Sequence, residues 1–106
     1  MKTGIIVYTV AVTLWGMAVF AADNGKLKSG EALFKKHCSV CHPNGGNVIN
    51  PKKTLKKADL AANGIKAPGD IVKKMRRPGP GMTQFDSAKV PDKEALEIAE
   101  YVLATF

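Results

Sequence analysis

The chain has 106 residues, enough for one domain, with 16 basic residues against nine acidic ones and two cysteines. A net charge of +7 favours anionic partner surfaces and a fast, salt-sensitive encounter. It does not point to nucleic acid, because no basic stripe interleaved with aromatics accompanies it.

The first residues read as an export signal. Lys2 is the positive end, Gly4 to Phe20 carries no charge, and Val19-Phe20-Ala21 ends in a cleavage site before Ala22. The alternative is an uncleaved anchor, since this stretch is near the short limit for a membrane span. The expected organisation is a cleaved signal over residues 1–21 and a single domain over residues 22–106, delivered to the periplasm, with no stable membrane insertion afterwards. Lys2 is the one basic residue removed, so the mature part, 85 residues long, keeps a charge of +6. A domain of that size has a modest apolar core and gains from a staple.

After a polar lead-in over residues 23–28, Ser29 is a candidate N-cap and Glu31 an acid in the first turn. Leu33, Phe34 and Cys38 fall at helical spacing, which predicts a first helix from about Gly30 to Cys41. At its end stands Cys38-Ser39-Val40-Cys41-His42. Two thiols and an imidazole at this spacing are the attachment signature of a c-type haem. Each cysteine can add across one vinyl group of the porphyrin, and the histidine is then held under the iron as its proximal ligand. Three other readings compete. A zinc site would need four ligands arranged tetrahedrally, and Cys38, Cys41, His42 and His37 lie too close along the chain to surround one ion. A thioredoxin-like pair would want a βαβ setting. A lone disulfide would leave His42 without a purpose. His37 is expected at the surface.

Pro43-Asn44-Gly45-Gly46-Asn47 turns the chain, and Val48 and Ile49 beyond it are expected to press on the haem. A backbone carbonyl of this loop is the natural partner for the second ring nitrogen of His42. Residues 56–63 suit a short helix with Leu55, Leu60 and Ala61 inward and Asn63-Gly64 as its stop. Pro68 suits the first turn of a third helix, with Asp70 near its positive end and Ile71, Val72 and Met75 on its apolar side. Pro78-Gly79-Pro80-Gly81 stops that helix and leaves Met82 on a stiff extended loop. A last helix is expected from about Pro91 to Ala104. Its stripe is Ala95, Ile98, Ala99, Val102 and Leu103, with Glu94, Glu97 and Glu100 in water and Tyr101 against Phe34.

The occupant of the sixth position on the iron decides the function. Met1 and Met17 leave with the signal, so Met75 and Met82 remain. A thioether is soft, binds iron well and raises the potential. Met82, on the stiff loop, is the expected distal ligand; Met75, on an apolar helix face, is the alternative. An open site would instead suit gas sensing or peroxidase-like chemistry. A third reading makes the haem purely structural.

The haem motif early in the mature chain, the downstream Met82 loop and Tyr101-Val102-Leu103 in the closing helix together resemble a class I c-type cytochrome. Residues 45–57, with Asp59-Leu60 and Asn63-Gly64, resemble cytochrome c6 in particular. The resemblance implies an all-α bundle of about four short helices around one covalent haem c. It also implies His42 and Met82 as axial ligands and a soluble carrier moving one electron between redox proteins, not an enzyme. Photosynthetic members usually carry glutamine where this chain has Lys74, proline where it has Thr83, and a serine cap where it has Pro91. The implied role is therefore a c6-like carrier in a bacterial respiratory chain rather than a photosystem donor. Lys35, Lys36, Lys52, Lys53, Lys73, Lys74, Arg76 and Arg77 are the candidates to steer acidic partners.

Overall fold

The apolar stripe of the closing segment organises the packing. In the computed structural model, which describes Gly4 and residues 17–106 with side-chain surroundings from Gly25 onward, this segment is helix α4, Asp92–Thr105. Ala95, Ile98, Ala99 and Val102 are at most 1% exposed. Among the described residues there are three further helices, α1 (Met17–His37), α2 (Lys57–Ala62) and α3 (Pro68–Arg76), and a 3-10 turn over Pro43–Gly45; α1 and α3 pack directly on α4. Among the described residues there is no strand, so the expected all-α class holds.

Helix α1 differs from expectation at both ends. It begins by Met17 and ends at His37, rather than running from Gly30 to Cys41. Met17, Ala18, Ala21, Ala22 and Leu27 are strong helix formers, and their propensity overrides the turn signal of Asn24-Gly25. Ser29 therefore lies inside the helix and caps nothing. Its hydroxyl instead donates to the Glu97 carboxylate at 2.6 Å, so Glu97 is drawn into the helix contact instead of facing water. At 21 residues α1 is also not short. The export-signal expectation falls chiefly on residues outside the described part. Among the described residues, no helix is long and apolar enough to cross a membrane.

The α1–α4 crossing is close because Gly30 is there. A Cβ at this position would stand 2.3 Å from the Glu97 carbonyl oxygen and 2.8 Å from Tyr101 Cβ. One turn on, Phe34 meets Tyr101 (ring centroids 5.5 Å apart) as expected, and also Phe106 at 5.4 Å. Phe106 closes the cluster edge-on to Tyr101 and lies under Gly45, whose φ of +77° and contact with the Phe106 ring both exclude a side chain. This tertiary link ties the C-terminus to the loop after His42.

The two shorter helices match their predicted spans within about a residue. Leu60 of α2 is buried, but Ala61 is exposed rather than inward, because a six-residue helix has room for one buried position. At the start of α3 the Asp70 carboxylate accepts the backbone N–H groups of Lys66 and Ala67, each at 3.0 Å. Those two bonds hold its carboxyl below the ordinary aspartate value.

Candidate haem site

The haem motif occupies an irregular turn that continues from α1. Cys38 N–H bonds the Phe34 carbonyl at 2.8 Å, as in a helix, but Ser39 N–H bonds the same carbonyl at 3.0 Å. The Ser39 hydroxyl then takes the Lys35 carbonyl at 2.7 Å. These bonds terminate the helix, and one further turn is closed by His42 N–H to the Cys38 carbonyl at 2.9 Å. The result turns Val40 outward to solvent and leaves Cys38, Cys41 and His42 on one cavity.

His42 is oriented by the loop that follows. Its Nδ1 stands 2.7 Å from the Gly46 carbonyl oxygen. A carbonyl can only accept, so Nδ1 carries the proton and Nε2 remains for a metal. The Gly46 carbonyl supplies the partner whose identity spacing alone left open. The loop is fixed in turn by Asn47. Its Oδ1 accepts the N–H groups of Ile49 and Asn50 at 2.9 and 2.8 Å, and its Nδ2 donates to the Lys53 carbonyl at 2.9 Å. Asn47 was expected only as part of the turn, not as the side chain that fixes the loop. The signal available was an Asn two and three residues before two backbone donors, an Asx-turn pattern.

The cavity has a volume of about 240 Å³. Its walls are Leu55, Leu60, Ile65, Ile71 and Phe85, with both Met75 and Met82 on it and Lys53 and Lys74 beside them. Of the two residues expected to press on the haem, Ile49 lines the cavity while remaining 57% exposed, and Val48 is in solvent. Their loop is held outward by the Asn47 bonds. His37 also lines the cavity, with its ring edge-on to Phe85 at 6.0 Å. It is half-buried rather than on the surface. Both cysteines are free thiols. Before haem is attached, burial, and secondarily the neighbouring Cys41, pushes the Cys38 thiol up to about 11.

This donor set fits a haem and does not fit a zinc ion. Among the described residues no cluster of three His, Cys, Asp or Glu side chains is placed to hold a metal by itself. A flat apolar ring is what the walls accommodate: two thiols to bond its rim, one imidazole nitrogen directed at its metal, and aliphatic and thioether side chains around it.

Comparisons with known proteins agree. The family model described as "Cytochrome C oxidase, cbb3-type, subunit III" matches residues 25–102. Cytochrome c6 of Synechocystis sp. is 40% identical over 88 residues, spanning 83% of this chain and 70% of that protein. Among solved structures, the outer membrane cytochrome OmcF from Geobacter sulfurreducens superposes with a TM-score of 0.71 at 49% identity. That match covers 73% of this chain and 98% of OmcF. Cytochrome c6 from the diatom Phaeodactylum tricornutum superposes with a TM-score of 0.67 at 34% identity, over 74% and 91% of the two chains. The chain thus belongs to the family that this model and the cytochromes c6 share, the class I c-type cytochromes with one covalent haem c, and its work is to carry single electrons between redox proteins.

Proposed function

We propose that the mature chain is a soluble periplasmic carrier, exported by residues 1–21. In it Cys38 and Cys41 form the haem thioethers, His42 is the proximal iron ligand and Met82 the distal one. The observation that supports this reading is that these four side chains line one apolar cavity although 40 residues of chain separate His42 from Met82. When bound, the haem supplies a reversible one-electron couple at its iron. The chain supplies the surroundings. Gly46 fixes the His42 ring, the aliphatic walls would keep water from the metal, and Pro78 and Pro80 narrow the backbone angles of the segment that carries Met82. Met75 is only 3% exposed and packed within α3, so it serves the wall and Met82 the metal.

The ligand assignment is tested by the weak sulfur-to-iron absorption band of the oxidised protein. Met82→Ala removes this band, and Met75→Ala keeps it. The reverse pattern makes Met75 the ligand.

Acidic partners are steered by the exposed cations that line the cavity, Lys53 and Lys74, together with the exposed Lys36, Lys52, Lys73 and Arg77. Arg76 leaves the steering set because it is engaged by Asp92, and Lys35 pairs with Glu31 within α1. Electron exchange with an acidic redox partner therefore slows as salt rises through the range where the Debye length falls from about 30 to about 8 Å. A rate that stays flat over that range excludes cationic steering.

A further inference from the structure

We infer that Arg76 is a positioning residue for the Met82 loop, clamping it shut against α3 and α4; the inference rests on the reading of Met82 as the distal ligand. The segment from Arg77 to Gln84 has little to hold itself. Pro78 and Pro80 have no N–H to offer, and within the segment the bond from Met82 N–H to the Gly79 carbonyl is long, at 3.4 Å. Its polar restraint comes from outside, chiefly from Arg76 with Met75 beside it.

Arg76 grips the far end of the loop in two ways and ties it to α4 by a third bond. Its Nη1 donates to the Phe85 carbonyl at 3.0 Å, and its backbone carbonyl accepts the Gln84 side-chain Nε2 at 2.9 Å. Its Nη2 meets the Asp92 carboxylate at 2.7 Å, which ties the same guanidinium to the first residue of α4. The neighbouring Met75 carbonyl completes the seam by accepting Phe85 N–H at 2.8 Å. The Asp92 side chain is 82% exposed and that of Arg76 only 22%. An exposed ion pair contributes little, so the bond to the Phe85 carbonyl is the part that matters, and Asp92 mainly aims the fork. A ligand loop held in this way keeps its thioether in place in both oxidation states and closes the iron to exogenous ligands.

The test uses the oxidised holoprotein and added imidazole, which binds the iron only when the loop opens. Losing a hydrogen bond from a charged donor raises the open fraction on the order of ten- to a hundredfold. Arg76→Ala therefore raises apparent imidazole affinity by that factor, and Arg76→Lys, which lacks the fork, recovers only part of it. Hydrogen exchange separates positioning from general stability: the Phe85 amide exchanges faster in Arg76→Ala, while the Ala99 amide in the α1–α4 core does not. Imidazole affinity within about twofold of the parent overturns the clamp, as does faster exchange shared equally by Ala99. Met82→Ala, measured alongside, tells the two failures apart. A sulfur-to-iron band that survives in Met82→Ala sinks the ligand reading itself. A band lost there, with Arg76→Ala behaving as the parent, sinks the clamp alone.

Discussion

Gly30→Ala lowers the thermal midpoint of the holoprotein by about 10 °C or more. In an ordinary helix this substitution stabilises by about 1 kcal/mol, because alanine has the higher propensity. Here the added methyl would sit 2.3 Å from the Glu97 carbonyl oxygen and 2.8 Å from Tyr101 Cβ, so α1 and α4 must separate. The obstructing atoms are main chain and a Cβ, neither of which can swing away. Overpacking of a tight interface typically costs about 1–3 kcal/mol, and an immovable backbone oxygen puts this site at or above the upper end. Separation also stretches the Ser29–Glu97 bond and loosens the Phe34–Tyr101–Phe106 cluster. For a domain of this size each kcal/mol moves the midpoint by about 4–8 °C. A melting curve of Gly30→Ala at or above the parent would show that the crossing can relax, contrary to the packing described.

The second large effect is loss of the fold without haem. The double variant Cys38→Ala, Cys41→Ala cannot anchor the cofactor, and the chain is then left with a cavity of about 240 Å³ walled by Leu55, Leu60, Ile65, Ile71 and Phe85. Those apolar walls then face water instead of the ring, and the contacts they make with it are lost. A small domain has about 5–15 kcal/mol in total, and among the described residues the buried core numbers only ten. The expected result is a chain with little far-UV helical signal, rapidly degraded in the cell. Far-UV circular dichroism of the purified double variant checks it. A spectrum matching the holoprotein, with a cooperative melt, would mean that the helices pack without the cofactor.

Elements with a strong local signal were legible in the chain. The stripe of α4, the proline that opens α3, the Asn63-Gly64 stop of α2 and the Tyr101–Phe34 contact all follow from periodicity or from a residue whose backbone preference is narrow. The start of α1 was misread because a polar residue in a turn-like context resembles a cap until its real partner is known. Ser29 has that partner 68 residues away, in Glu97. The partners of Arg76 were hidden in the same way, since nothing next to it in the chain announces Phe85 and Asp92.

By itself the sequence determined the chemistry of this protein. Cys38, Cys41 and His42 are neighbours, so the bonds they can make depend on spacing along one turn and need no distant residue. The tertiary structure alone decided which carbonyl orients His42, that Met75 and Met82 share one cavity, and that Arg76 bonds the Phe85 carbonyl beyond the Met82 loop. Those outcomes depend on contacts between segments far apart in the chain, and local propensity carries no information about which segments will meet.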